Sequence, residues 1–250
     1  MLQKSKKIIG LVVLALMLLS GVVVLCVHNV SKTITEEDVL YIHKISQETG
    51  HDWDSIKLHD GFEEEIEDIR AVQAAVLGIT PTQKQVPNRQ TRNPKDIYEL
   101  RYAQCSDRSY VMDKMLRLAG FQVRIASVYG TAKTGSALKS LLSTNKDLVR
   151  SHSMVEVLTS RGWMMVDTND LWIGLDKEGQ PVDLEAWHIK VRDGNPDIWS
   201  DSNSGEIYWL MEDAFTFVYG LYSRHGYFYP PYNAFPDVNW VEFRYNLFKN

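Results

Sequence analysis

Cysteine is nearly absent from this chain: two occur in 250 residues, Cys26 and Cys105. A bridge between them would tie an apolar N-terminal run to the globular part, so no disulfide framework holds this fold. Neither Cys-x-x-Cys nor His-x-x-x-His spacing occurs. Cys105, His152 and Asp167 have the types of metal ligands but not the spacing of a structural zinc site, and nothing calls for a metal or organic cofactor. Long basic runs are missing too. Beyond residue 27 there are 24 Lys and Arg against 32 Asp and Glu, a net charge of −8. That acidity argues against nucleic acid as a partner. No internal repeat or low-complexity stretch appears. The remaining composition, 44% hydrophobic and 24% charged, is that of a folded globular protein.

One long apolar run is present, and it stands at the start. Ile8 to Val27 is twenty residues without a charge, preceded by Lys4, Lys6 and Lys7. At 1.5 Å per residue such a helix is about 30 Å long, the thickness of a bilayer's hydrocarbon core. The run exceeds a secretory signal core and no small-x-small pair closes it. The expectation is an uncleaved single-pass anchor, helix about 8–27, within residues 1–30. Its basic flank would lie in the cytoplasm and the remainder in the periplasm or outside the cell. Cys105 would then be a lone thiol in an oxidising compartment, which flags it as reactive.

Beyond the anchor, residues 31–60 read as a juxtamembrane stalk or helix, and 61–250 as the main domain. Phe62 to Leu77 carries apolar residues at three- and four-residue spacing behind Glu63, Glu64 and Glu65, with Gly78 as the stop. Residues 79–95, with Pro81, Pro87 and Pro94, read as a loop. A second helix runs from Cys105 to Ala119 and is closed by Gly120. A strand follows over Phe121–Tyr129, then an exposed insertion over 130–150. Ser151–Leu158 and Trp163–Thr168 form a hairpin. Helices first and strands afterwards give an α+β class. The tail from Glu206 to Asn250 holds 15 of the 27 aromatic residues, which reads as packed core.

The chemistry concentrates at three positions. Cys105 opens a helix, where backbone N–H groups and the macrodipole favour a thiolate, the nucleophilic form. On the hairpin, His152 and Asp167 share a face whenever the loop has an even number of residues. A four-residue loop places Asp167 diagonal to His152; a two-residue loop at 159–160 places it directly opposite. In either register the carboxylate can orient the imidazole for work on the thiol. His188 and His225 lack such partners and read as structural, and Arg124 reads as a residue that holds the domain together.

These residues, with Gly120, Arg124, Glu156-Val157 and Gly162-Trp163, resemble the transglutaminase-like superfamily, particularly its bacterial branch, over about residues 94–170. Ala103 and Met154 depart from the usual glycine and aromatic of that pattern, and Cys105-Ser106 replaces the Cys-Trp of the animal cross-linking enzymes. The resemblance implies a papain/transglutaminase-like core, with the nucleophile helix packed on an antiparallel sheet. It implies a cysteine hydrolase or acyltransferase in which Cys105, His152 and Asp167 form the triad and a thioester is the intermediate. The Cys105 backbone N–H and one of Gln104, Tyr102 or Trp163 would serve the oxyanion. The substrate expected is a protein, peptide or peptidoglycan-type amide; no protein partner is named by the sequence. The alternative is a catalytically silent module that scaffolds an envelope or exopolysaccharide assembly.

Overall fold

The computed structural model describes residues 2–26, 28–87, 91–143, 145, 147–194, 213–222 and 237–248. The apolar run forms α1 (Leu2–Cys26), whose described side chains, Ile8 to Val22, are exposed. Among the described residues, no helix is long and apolar enough to cross a membrane.

The chain then folds without delay. β1 (His28–Asn29) pairs in parallel with β9 (Asp237–Val238), and Val30 enters the core. Lys32 reaches Asp113 at 2.6 Å and also binds Glu242, which ties this segment to a buried helix and to the C-terminal region. Residues 31–60, read above as a stalk or helix, contribute α2 (Glu36–Glu48). Its Ile42 and Ile45 are wholly buried in the main core. Thr35 and Asp38 form its capping box, each satisfying a backbone donor of the other.

α3 (Phe62–Ile79) runs through Gly78 rather than stopping there. A Cβ at Gly78 would lie 3.2 Å from Thr49 Cγ2, so this glycine permits close packing against the end of α2. Pro81 is what prevents continuation, because proline disfavours helical backbone at Thr80. The expected 79–95 loop includes a two-residue strand, β2 (Thr82–Gln83), paired with β3 (Tyr102–Ala103). α4 (Pro94–Leu100) starts with proline at the first helical position, where its missing N–H costs nothing. α5 (Cys105–Leu118) follows, and Gly120 beyond its end has φ +102°.

The main sheet is antiparallel, in the order β6 (Gly162–Val166), β5 (Ser151–Thr159), β4 (Gln122–Gly130), β7 (Phe215–Tyr219). The 130–150 insertion carries α6 (Ala137–Leu142). Alternation along the strands divides the core in two. Ile125, Val155, Val157, Met164 and Val166 face α2, α3 and α5. Ala126, Val128, Met154 and Met165 face Trp172, Trp187 of α7 (Leu184–Arg192) and Phe215. A sheet covered on both faces needs apolar residues at successive positions, which explains the run Met164-Met165-Val166. β8 (Leu221–Tyr222) and α8 (Trp240–Phe243) complete the described elements.

Candidate active site

Cys105 is the first residue of α5 and is partly exposed. Gln104, with extended backbone, is the N-cap, and its N–H donates to Asp107 Oδ2 at 3.0 Å. Asp107 is fully buried and also accepts from Val86 N–H (3.2 Å) and Arg92 Nε (2.5 Å). The start of α5 is therefore fixed by one carboxylate that also holds the preceding loop. Two bonds to backbone N–H groups and one to a guanidinium leave that anion well satisfied inside the protein.

His152, the second residue of β5, lies opposite Val128 and is wholly buried. Its Nε2 stands 3.1 Å from Asp167 Oδ2. The β5–β6 register pairs Val155 with Val166, which puts Met154 opposite Asp167 and places the aspartate diagonal to His152. That is the register of the longer of the two loops considered, although Thr159 and Gly162 themselves close the turn as a pair. Burial opposes a charge on the imidazole. The Asp167 charge and hydrogen bond, with smaller contributions from the Cys105 hydrogen bond and charge, outweigh it and push the His152 pKa up to about 10. An imidazole in this setting holds its proton at neutral pH.

Asp167 does two jobs with its two oxygens. Oδ2 faces His152, while Oδ1 accepts the N–H groups of Asn169 (2.6 Å) and Asp170 (3.0 Å), capping the turn after β6. That turn is gripped from both sides. Gln73 of α3 donates Nε2 to the carbonyls of Asp167 (2.8 Å), Asp170 (2.9 Å) and Trp172 (2.8 Å). Arg108 of α5 donates to the Thr168 carbonyl (3.3 Å) and Asn169 Oδ1 (3.0 Å), and to Thr80 Oγ1 (3.1 Å) and carbonyl (2.7 Å). Ser109 Oγ lies 3.0 Å from Ser153 Oγ, pinning α5 to β5 beside the histidine.

The three expected residues thus converge, with the thiol at the helix start, the imidazole beside it and the carboxylate behind. The oxyanion candidates do not all follow. Gln104 and Tyr102 flank Cys105 along the chain and are half-buried, with Tyr102 under Lys84 Nζ at 4.5 Å from its ring centroid. Trp163 is corrected. It pairs with Leu158, six residues from His152, which at about 3.3 Å per residue is about 20 Å along the strand. There it stacks on Arg124, 4.1 Å from the ring centroid. Arg124 also lies over Tyr219 (4.2 Å) and binds Glu156 Oε2 at 2.6 Å, so it holds the sheet together far from the thiol. His188 packs edge-on against Phe215 and Phe217. His225 and Tyr227-Phe228-Tyr229 lie outside the described residues. Among the described residues, no cluster of His, Cys, Asp or Glu could hold a metal ion.

Reading the sequence alone missed Asp107, Arg108 and Gln73. The first two left a signal. Gln104-x-x-Asp107 has capping-box spacing, and Arg108 shares a helical face with Cys105, Met112 and Met115, where a cation is out of place. Gln73 gave none, since nothing local says which distant carbonyls it would reach.

Comparison with known proteins bears on this geometry. Residues 55–168 match the family model of the transglutaminase-like superfamily. That segment is similar to the superfamily. The match takes in α3, α5 and the hairpin, and ends one residue past Asp167. The transglutaminase-like superfamily generally comprises cysteine-type enzymes, including peptidases and acyltransferases. No curated protein matches the chain.

Proposed function

We propose that this protein is a membrane-anchored, extracytoplasmic thiol enzyme that cleaves or exchanges an amide bond through a thioester on Cys105. The observation that carries the reading is the juxtaposition of a helix-opening cysteine with a buried His152 whose Nε2 is bound by Asp167. In the first step Cys105 Sγ forms a bond to the substrate carbonyl carbon while His152 holds the thiol proton. The C–N bond breaks as His152 passes that proton to the departing amine. Water or a second amine then adds to the thioester carbonyl and gives its proton to His152; the C–S bond breaks, the acyl group leaves as an acid or a new amide, and His152 returns the proton to Cys105 Sγ. Asp167 keeps the ring oriented and balances its charge throughout. The Cys105 backbone N–H, unpaired within the helix because it stands at the start, is the first oxyanion donor. Gln104 and Tyr102 remain the side-chain candidates.

The anchor is supported by the apolar run of α1 and by Lys4, Lys6 and Lys7 on its N-terminal side. Because β1 and Lys32 are built into the fold, the domain begins within a few residues of that helix. It would sit against the membrane, not on a tether, and its substrates would be amides held near the surface, such as envelope peptides or peptidoglycan stems.

The test uses the full chain in detergent with peptide amides and peptidoglycan fragments. We expect turnover, with an acyl adduct on Cys105 in the intact-mass spectrum, and loss of both in Cys105→Ala. Turnover that survives in Cys105→Ala refutes the thiol mechanism. A thiol that forms no adduct and alkylates like a free one points instead to the silent scaffold.

A further inference from the structure

We infer that Arg108 is a positioning residue that sets the acidity at which Cys105 becomes a nucleophile, an inference that rests on the thiol-enzyme reading above. Arg108 is 4% exposed, and all four of its hydrogen bonds go to neutral oxygens, on Thr80, Thr168 and Asn169. Among the described residues it forms no ion pair, whereas the buried Lys114 and Arg124 and the half-buried Lys32 each touch a carboxylate. Removing a cation from water costs several kcal/mol unless a counter-charge repays it. Burial accordingly draws the guanidinium's pKa down. The groups that oppose this are, in order, Cys105, Asp167 and Asp107. The counter-charges within its reach are therefore Cys105, once it is ionised, and the carboxylates of Asp167 and Asp107.

The spacing makes this direct. Cys105 and Arg108 stand three apart on α5, where Cβ atoms lie about 5–6 Å from one another. The charges facing the thiol can be counted element by element. From β5 comes His152, from the turn after β6 comes Asp167, and from α5 itself come Asp107 and Arg108. Asp107 is cancelled by Arg92 from the preceding loop, and His152 by Asp167. Arg108 is what remains. With it, loss of the thiol proton takes the buried group from one net positive charge to neutrality. Without it, the same loss leaves a net negative charge in a buried site, and the thiolate forms only at higher pH.

The experiment uses the full chain in detergent with Cys26→Ser, so that Cys105 is the sole thiol, and follows the rate of iodoacetamide alkylation against pH. The quantity compared between variants is the midpoint of that profile. Arg108→Gln should raise it by about one unit, which slows alkylation about tenfold on the acid side. Arg108→Lys, which retains the charge but not the fork, should raise it by less. Should Arg108→Gln fail to fold by circular dichroism, Arg108→Met serves as the neutral variant and Arg108→Lys as the graded one. A folded neutral variant with the parent midpoint, or a Lys variant with no shift where neither neutral variant folds, overturns the inference and leaves the enzyme reading intact. A parent midpoint at the free-thiol value of about 8.5 that His152→Ala does not move overturns both.

Discussion

Two arginines lie buried against the β5–β6 hairpin, one at each end, and they are held in opposite ways. Arg124 at the turn end binds Glu156 at 2.6 Å and lies over Trp163 and Tyr219. Burial alone would lower its pKa, yet Glu156, with Tyr219 and Asp183, raises it. Arg108 at the Cys105 end has hydrogen bonds but no ion pair among the described residues, and burial prevails in lowering its pKa. A cation needed for stability is neutralised where it sits. A cation left short of counter-charge is available to a neighbour that acquires charge during a reaction. The contrast separates structure from chemistry without reference to any substrate.

The sharpest way to break that contrast is at the turn end. Glu156→Gln leaves buried Arg124 with only the more distant Asp183 carboxylate, at 3.8 Å, and breaking a buried pair costs about 3–5 kcal/mol. For a domain of this size that is about 10 °C in melting temperature. The alkylation profile of Cys105 should be unmoved. The double change Arg124→Leu, Glu156→Leu should recover much of the loss, since apolar replacements of buried pairs are often neutral. A Glu156→Gln protein that melts like the parent would mean that the aromatic stack alone carries Arg124. The two ends would then not differ as described.

The second test is pH. His152 has a folded pKa of about 10 against an ordinary value of 6.5. Because the folded value is the higher, the folded state holds more protons between those limits. The stabilisation from the His152–Asp167 pair is complete below about 6.5 and is lost as pH rises through about 10. Thermal melts of the parent should therefore fall across that window, and His152→Gln should flatten the fall while lowering stability at pH 6. Parallel curves for the two proteins would mean that His152 is neutral in the folded state, and the thiol would have to be activated by other means.

How much of this was legible beforehand follows from what is local. Helix α5, its glycine stop and the His152–Asp167 hairpin were readable, because each depends on a short stretch and a simple period. Residues 31–60 looked detached because their apolar positions, Val39, Ile42 and Ile45, are sparse. Their place in the core depends on Ile42 and Ile45 meeting partners distant in sequence. Gly78 was misread as a stop because a glycine that admits a neighbouring helix and one that ends its own look alike in one chain. The clamps on Asp167 follow the same rule. Gln73 acts on carbonyls 94 to 99 residues away, and no periodicity points there.

The smallest expected effect tests the one site residue that the fold relocates. Trp163 was one of three side-chain candidates for the oxyanion, beside Gln104 and Tyr102, but its ring lies 4.1 Å from Arg124 and 5.9 Å from the Tyr245 ring. Trp163→Phe keeps an aromatic face over the guanidinium and removes the indole N–H. The expected loss is about 0.5–1 kcal/mol of cation–π stabilisation, a shift of only a few degrees in melting temperature. Alkylation of Cys105, and any amide turnover found for the parent, should stay at the parent level, because the indole is about 20 Å from His152 along β5. A fall in turnover with an unchanged melt would return Trp163 to the oxyanion site. It would also mean that the hairpin bends its two ends together during the proposed reaction.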